Sequence, residues 1–383
     1  MSDALLVDAL ALPVYDLGDA HPFAPFRQQP LFDLLRAHRL FDDHELLIPH
    51  AASDEELTRI HDPGYVRLLE RLDDPEDHDA IRLAPVYGMG TSDNPICRGQ
   101  HASAAAAVGG TLACMRAVLE GRARAAFNST GGLHHAMPGA ASGFCLYNDL
   151  AVAIDEALRS GFERVAYIDF DVHHGDGVEW IFREDPRVLT ISLHETPDTR
   201  WPFTGRVTDR GRGRGEGFAI NLPFAPGTCD RSWTSIARDV LGTALTRFAP
   251  QVLVTQHGCD PHHSDPLADL SLTTSAFASA AMLSRELADS ICEGRWVATG
   301  GGGYQPVTVI PRAWSMVWCA VSGRPIPDAV DEGWRARWQA RSRDALPRRF
   351  LDDRYEDPRE EQAARSNAAM RDALRRVNPQ LCG

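Results

Sequence analysis

The chain has 383 residues, 44% hydrophobic and 24% charged, which is typical of ordinary soluble globular proteins. Its net charge of −14 argues against a nucleic-acid partner, because such proteins usually present a basic face; an acidic surface suits a cationic partner or simply maintains solubility. We find no stretch apolar enough to cross a bilayer and no basic amino-terminal segment typical of a signal peptide, so we expect a cytoplasmic protein with no membrane partner.

From about residue 100, helical and extended patterns alternate along the chain. The predicted helices cover residues 101–121, 150–161, 232–248 and 275–294. The predicted strands cover residues 124–130, 164–172, 187–194, 251–258 and 295–303. This alternation predicts an open, mostly parallel α/β sheet with helices on both faces. We expect residues 1–330 to form a single catalytic domain and residues 331–383 to be helices packed on it, with a protein-docking tail as the alternative.

The segment YIDFDVHHGDG, residues 167–177, carries the strongest chemical signal. Side chains alternate along a strand, so Asp169, Asp171 and His173 should project to one side at its carboxyl end. Buried carboxylates are costly without a positive partner, and a divalent metal ion would supply one. A solvated acidic patch is the alternative, but the hydrophobic residues around the motif favour the metal site.

A second strand end carries Asp260, in the segment CDPHHSDP, residues 259–266. Ligands of open parallel sheets bind beyond the carboxyl ends of the strands. Asp171, His173 and Asp260 would leave one coordination position for water, as catalytic zinc sites do. These mixed oxygen and nitrogen donors suit Zn²⁺ and also allow Fe²⁺. Asp260 alone would be a weak indication, because aspartate before proline is a common turn former.

Two adjacent histidines follow a glycine turn in NSTGGLHHAMPGAASGFCLYND, residues 128–149. His134 and His135 could be metal ligands, acid–base groups or buried structural residues. Beside a predicted metal site we favour acid–base catalysis. Each imidazole would need a partner that fixes its tautomer, and Asp169 and Asp176 are carboxylates that the metal does not use.

Four glycines precede Tyr304 in ATGGGGYQP, residues 298–306. A glycine-rich loop can hold a phosphate group. This one lacks the Lys-Ser/Thr pair and the G-x-G-x-x-G spacing of nucleotide sites, so we consider phosphate binding the weaker interpretation. We predict instead that the hydroxyl of Tyr304 points at the reacting centre.

These blocks, in this order, resemble the histone deacetylase family, and most closely its bacterial acetoin-utilization branch. The resemblance extends from about residue 14 to 320 and rests on the His-His-Ala…Gly-Phe-Cys, Asp-x-Asp-x-His-His-Gly-Asp, Asp…Asp-Pro-Leu…Leu-Thr and Gly-Gly-Tyr blocks. HPFAPFR, residues 21–27, also looks like the family's amino-terminal signature. The resemblance implies an arginase-like fold, a tunnel that ends at the metal, and hydrolysis of the amide of acyl-lysine with release of acetate.

The resemblance also implies a role for each site residue. The implied metal ligands are Asp171, His173 and Asp260. The implied catalytic residues are the tandem histidines His134 and His135, their supports Asp169 and Asp176, and Tyr304, which hydrogen-bonds the scissile carbonyl. The implied substrate-binding residues are Asp93 at the rim, Gly143 near the lysine nitrogen, and Phe144 and Trp201 on the tunnel walls. A structural monovalent cation such as K⁺ is implied at Asp169, Asp171, His173, Ser192 and Leu193. Arg27 matches an arginine near the acetate exit route.

Two departures from the family pattern bear on the substrate. Gly-Gly-Leu stands before the tandem histidines in place of Arg-Pro-Pro-Gly, which favours the acetoin-utilization branch over polyamine deacetylases. Trp201 stands where Phe is more usual, which leaves the acyl-chain preference open. The branch implies acetyl-CoA synthetase as the protein substrate. The alternatives are an acetylpolyamine or other small-molecule amidohydrolase, an arginase-type ureohydrolase with a second metal, and a non-catalytic acyl-lysine binding protein.

Overall fold

The structure, a computed structural model, describes residues 3–18 and 21–383. Its strands are β1 Ala4–Val7, β2 Leu46–Leu47, β3 Ala125–Asn128, β4 Val165–Asp169, β5 Val188–Glu195, β6 Ala219–Phe224, β7 Val252–Gln256 and β8 Trp296–Thr299. Its helices are α1 Gln28–Ala37, α2 Asp54–Leu57, α3 Pro63–Arg71, α4 His78–Leu83, α5 Gln100–Leu119, α6 Asp149–Arg159, α7 Asp176–Phe182, α8 Asp230–Phe248, α9 Thr274–Ile291, α10 Ile310–Ser322, α11 Glu332–Trp338, α12 Glu360–Val377 and α13 Pro379–Cys382.

The eight strands form one parallel sheet in the order β2-β1-β3-β8-β7-β4-β5-β6. This confirms the open, parallel α/β sheet that the sequence predicts. Strands β1, β2 and β6 are not predicted by the sequence pattern. β1 and β2 are only four and two residues long, and β6 contains a proline, so none of them gives a strong strand pattern.

The order of the strands gathers four loops at one edge of the sheet. β3, β8, β7 and β4 are neighbours, and their last residues lie side by side in register: Asn128 opposite Thr299, Thr299 opposite Gln256, and Gln256 opposite Asp169. The four motifs that supply the predicted metal ligands, tandem histidines and tyrosine lie at or just after the ends of these four strands. The carboxyl edge of the sheet centre therefore holds the candidate site, as open parallel sheets place their ligands.

Helices cover both faces of the sheet, and their apolar residues form the main cores. Helix α5 corrects one expectation, because its length and mean hydropathy of 1.5 would allow it to cross a membrane. However, 78% of its apolar window is buried inside the protein, against α6 and β3. A core helix of this kind passes the same composition test, because an alanine-rich surface buried on all sides needs no polar face.

The last fifty residues pack on the same body. The indole nitrogen of Trp334 in α11 donates to Pro30 O at 2.8 Å, and α12 packs against the edge strand β6. The side chain of Asn367 in α12 accepts a hydrogen bond from Ala225 N, directly after β6. At the opposite edge of the sheet, β2 is two residues long.

Candidate active site

The structure brings Asp171, His173 and Asp260 together beyond the ends of β4 and β7. One ligand atom from each lies within 4.8 Å of the others. His173 Nδ1 is 3.1 Å from Asp171 Oδ1 and 3.1 Å from Asp260 Oδ2. Both carboxylates are fully buried. β4 ends at Asp169, so Asp171 and His173 project from the following loop, and the predicted strand alternation does not extend to them.

Hydrogen bonds orient the two carboxylates. Asp171 Oδ2 accepts from Gln256 Nε2 at 2.7 Å and from Gly302 N at 2.8 Å, and Asp260 Oδ1 accepts from Val172 N at 3.0 Å. One oxygen of each carboxylate is thus left to face the imidazole. No arginine forms an ion pair with either carboxylate in the described part of the chain. Two buried carboxylates and one imidazole are a donor set that fits a divalent metal ion.

His134 and His135 lie side by side next to this cluster, with ring centroids 3.9 Å apart. His134 Nδ1 is 2.7 Å from Asp169 Oδ2, and His135 Nδ1 is 2.6 Å from Asp176 Oδ1. Both imidazoles are almost completely buried. Because a carboxylate engages each Nδ1, each Nε2 is left free to exchange a proton.

The pKa values of the two histidines shift in opposite directions. Burial lowers the pKa of His134, but Asp169 and Asp171 outweigh burial and raise that pKa to about 9. Burial, followed by the charge of His134, lowers the pKa of His135 to about 4 in spite of Asp176. Near neutral pH, one imidazole of the pair therefore holds a proton and the other can accept one.

A buried carboxylate that the sequence analysis did not single out holds the turn before the histidines. Asp149 accepts hydrogen bonds from Leu133 N at 2.8 Å, from Gly132 N at 3.0 Å and from the Thr111 hydroxyl at 2.6 Å. Gly132 has a φ of +94°, and a Cβ at Gly131 would lie 2.3 Å from Asp149 Oδ2. Both glycines are therefore required for the turn to approach the carboxylate.

His61 is a second anchor that the analysis missed. Its Nδ1 donates to Met137 O at 3.1 Å, and its Nε2 accepts from Asn148 N at 3.0 Å, so it links the chain just after His135 to the start of α6. The Asn148 side chain in turn donates to His134 O at 3.2 Å. Burial lowers the pKa of His61 to about 4, in keeping with a neutral imidazole that both donates and accepts.

A narrow cavity borders the cluster, and its lining includes Gly143, Phe144, Tyr304 and both tandem histidines. The rings of Phe144 and Tyr304 meet edge to face, with centroids 5.8 Å apart. Trp201 does not line this cavity itself. It packs against Gly143, where a Cβ would lie 2.5 Å from the indole ring, and its centroid is 4.6 Å from that of His135.

Tyr304 is held through its backbone by a carboxylate from another loop. Asp265 Oδ2 accepts from Tyr304 N at 2.9 Å, a contact that the sequence analysis did not foresee. Burial raises the pKa of Tyr304 well above its usual range, which keeps the hydroxyl protonated as a hydrogen-bond donor. A Cβ at Gly302 would lie 2.2 Å from Asp260 Oδ2, so the glycine-rich loop passes directly beside this predicted metal ligand.

The remaining predicted residues surround this centre. Asp93 is exposed, and its backbone oxygen is 3.3 Å from Nε2 of His21, whose ring contacts Phe144 at a centroid distance of 4.4 Å. Arg27 is buried and donates to Gly301 O at 3.0 Å. Asp93 therefore lies close to the cavity residue Phe144, with His21 between them, and Arg27 contacts the glycine-rich loop.

The positions implied for a monovalent cation lie at the end of β4 and beside it within β5. Asp169 is in register with Ser192, and Leu193 follows in β5, fully buried. The Ser192 hydroxyl is 2.9 Å from His194 Nδ1 and accepts from Gly175 N at 3.3 Å. These residues adjoin the loop that carries Asp171 and His173.

Comparison with known proteins gives a consistent result. Residues 21–321 match the model of the histone deacetylase domain. The chain is 37% identical over 381 residues to the acetoin utilization protein AcuC of Bacillus subtilis (strain 168), covering 96% of this chain and 95% of that protein. It is 33% identical to AcuC of Staphylococcus xylosus, covering 92% of each. The crystal structure of an HDAC homolog from Aquifex aeolicus superposes with a TM-score of 0.85 at 29% identity, covering 98% of this chain and all of that one. The structure of an HDAC homolog complexed with SAHA gives the same TM-score and identity, covering 99% of this chain and all of that one.

Proposed function

Because the chain belongs to the histone deacetylase family, we propose that it is a zinc-dependent lysine deacetylase that hydrolyses the amide of an acyl-lysine and releases acetate. The observation that carries the proposal is the convergence of Asp171, His173 and Asp260 beside two carboxylate-paired histidines, at a narrow cavity. We assign the catalytic domain to residues 1–330 and place the protein in the cytoplasm.

We propose that Asp171, His173 and Asp260 hold the catalytic metal. Zn²⁺ in this position would polarise the acyl carbonyl and lower the pKa of water from about 15.7 toward about 7. Fe²⁺ could occupy the same donors. For a second, structural ion we propose K⁺ at Asp169, Ser192 and Leu193, together with the adjoining metal-loop residues. The described residues contain a single buried group of three metal-binding side chains, which gives no support to a binuclear ureohydrolase.

The side chains divide the proton transfers. His135 takes a proton from the water that attacks the acyl carbon, because its Nε2 is free and its pKa is lowered. The protonated imidazole of His134 donates to the nitrogen of the departing lysine as the C–N bond breaks. The hydroxyl of Tyr304 donates a hydrogen bond to the oxygen that becomes negative. Lysine amine and acetate are the products.

The surrounding residues would orient the substrate. Phe144 and Trp201, with the carbonyl of Gly143, would hold the lysine stem, whose four methylenes gain about 0.8 kcal/mol each on burial. Asp93 at the mouth would accept backbone N–H groups of the substrate. Arg27, buried without a carboxylate partner among the described residues, would attract the acetate product. An HDAC homolog of the same fold was solved in complex with SAHA, which supports small-ligand binding by this fold.

The test combines metal analysis with a substrate panel. The purified protein should contain about one equivalent of zinc or iron and should hydrolyse acetyl-lysine peptides, including one from acetyl-CoA synthetase, faster than acetylspermidine. Longer acyl-lysines on the same peptide would measure the effect of Trp201. Chelation should abolish turnover, and added Zn²⁺ should restore it. A preference for acetylspermidine would favour the polyamine deacetylase alternative. Binding of the acetyl-lysine peptide without turnover would favour a non-catalytic acyl-lysine binding protein.

A further inference from the structure

An aspartate of the carboxyl-terminal segment contacts a loop that borders the candidate active site. Asp352 lies beyond residues 21–321, the part that matches the family domain, in the stretch between α11 and α12. Its carboxylate accepts from His262 Nε2 at 2.9 Å, from Thr274 N at 3.1 Å and from Arg312 Nη1 at 2.6 Å. Its backbone N–H donates to the Thr274 hydroxyl at 2.8 Å. It thus joins three elements of the domain at one point.

The contact with His262 has a defined direction. His262 Nδ1 accepts from Ser264 N at 3.2 Å, so Nε2 carries the proton that is donated to Asp352. His262 and Arg312 are almost completely buried. Arg312 also donates to Phe350 O at 3.1 Å, which fixes the chain just before Asp352. A partly buried aspartate held by a buried arginine and a buried imidazole is a rigid anchor.

The loop that His262 occupies, residues 260–265, controls both sides of the proposed catalytic centre. We call it the ligand loop. Its first residue is Asp260, the proposed metal ligand, and its last is Asp265, which holds the backbone of Tyr304. Within it, Asp265 N donates to His262 O at 2.8 Å. His262 stands between the two functional ends, and its ring is fixed from outside the loop by Asp352.

We propose that Asp352 is a positioning residue for the active site and that, through His262, the carboxyl-terminal segment sets the placement of Asp260 and Tyr304. The expected effect of Asp352 on turnover rests on the proposed function. The expected effect of Asp352 on metal affinity does not depend on which substrate is hydrolysed. Partners that orient metal ligands typically change metal affinity or activity by about 10–100-fold when removed. A comparable loss is expected here.

The first experiment compares Asp352→Asn with Asp357→Asn. Asp357 is a buried aspartate of the same segment whose side chain contacts Ser271 and Arg359 and none of the ligand loop. Chelator competition measures the Zn²⁺ affinity, and the visible absorption of the Co²⁺-loaded protein reports the coordination geometry. Steady-state kinetics on an acetyl-lysine peptide give kcat and KM. Asp352→Asn should weaken Zn²⁺ binding and kcat by about 10–100-fold, shift the Co²⁺ spectrum and leave KM nearly unchanged. Asp357→Asn should keep the wild-type metal affinity and spectrum.

Substitutions at His262 test the route and cover the case in which Asp352→Asn does not fold. His262→Leu removes the donor and should reproduce the losses, whereas His262→Gln keeps an N–H donor and should retain most of the affinity. The double variant with Asp352→Asn should be no worse than the single ones, because both break the same contact. Wild-type Zn²⁺ affinity and a wild-type Co²⁺ spectrum in Asp352→Asn would overturn the proposal. If Asp352→Asn does not fold, the same result in His262→Leu would overturn it. Strictly additive losses of Zn²⁺ affinity in the double variant would also overturn it. If wild-type protein hydrolysed no acyl-lysine while these metal effects appeared, the proposed function would fail and the positioning role would stand.

Discussion

The two halves of the candidate site are built in different ways. Asp171, His173 and Asp260 follow directly on β4 and β7, two adjacent central strands, and hydrogen bonds from nearby loops fix their carboxylates. The tandem histidines and Tyr304 stand on the loops that follow β3 and β8. Buried carboxylates accept hydrogen bonds from the backbone of those loops: Asp149 at the start of α6 holds the histidine loop, and Asp265 from the loop after β7 holds the backbone of Tyr304.

The difference shows which part of the site the fold provides and which part needs separate anchors. A parallel sheet brings the ends of neighbouring strands together, so a metal set follows from short side chains at those ends. Loops carry no such constraint, and their backbone N–H groups must find partners when buried. Loss of Asp149, the anchor of the histidine loop, should therefore disturb the acid–base half and leave the metal half intact.

The largest effect should come from the metal half. Asp260→Ala removes one of the three proposed metal ligands, so we expect loss of the bound metal. The fall in kcat should exceed the loss of about 10²- to 10³-fold that follows removal of one oxyanion hydrogen-bond donor. Metal content by mass spectrometry and kcat measure this. Asp239→Ala, which breaks a surface pair with Arg375, is the control. A stoichiometric metal content with full turnover would remove Asp260 from the ligand set.

Next in size is Tyr304→Phe, which removes only the hydroxyl. We expect kcat to fall by about 10²- to 10³-fold, with KM and metal content nearly unchanged, because the hydroxyl is assigned to the transition state. Steady-state kinetics on an acetyl-lysine peptide provide the measurement. Tyr87→Phe removes a hydroxyl outside the cluster and should behave as wild type. Equal kcat values for the two variants would exclude Tyr304 from the chemistry.

The comparison itself is tested most directly by Asp149→Asn. The amide cannot accept all three hydrogen bonds of the carboxylate, so the turn before His134 should shift and kcat should fall by about 10–100-fold, the size of other orienting contacts. Zn²⁺ affinity should stay at the wild-type value. Thr111→Val, which removes one donor, should give a smaller loss. A matching fall in metal affinity would show that the two halves are not separable.

The smallest effect at neutral pH concerns His61. Its pKa of about 4 in the folded protein lies below its ordinary value of 6.5, so the folded state is fully favoured above pH 6.5 and loses stability as pH falls toward 4. At pH 5 the loss is about 2 kcal/mol. Urea unfolding at pH 7 and pH 5 measures it, with His61→Gln as the non-titrating reference. An equal pH dependence in both proteins would contradict the assignment.

The sequence predicted the metal half better than the acid–base half. Strand patterns and the strand-end rule were sufficient to bring Asp171, His173 and Asp260 to one place. They could not identify Asp149, His61 or Asp265 as anchors, because each acts on backbone groups that are near only after folding. Asp149 at the end of the histidine block and Asp265 before a proline were visible, but nothing local distinguishes an anchor from a helix start or a turn.

The fold, like the site, was predictable where local patterns are strong and not where distant contacts decide. The long periodic segments after residue 100 gave the helices and central strands, whereas β1, β2 and β6 are short or interrupted. Their place in the sheet depends on pairing with distant strands, which a local pattern does not contain. The burial of α5 was likewise a tertiary property, because its composition alone fits a membrane span as well as a core.

The packing of α12 on β6 has a consequence for how this protein behaves at high concentration. An uncovered edge strand of six residues can recruit strands from other molecules, and aggregation follows. With α12 in place at one side and a two-residue strand at the other, the sheet offers little for such recruitment. A chain shortened before residue 360 should therefore precipitate more readily than the full-length chain, whatever happens to its chemistry.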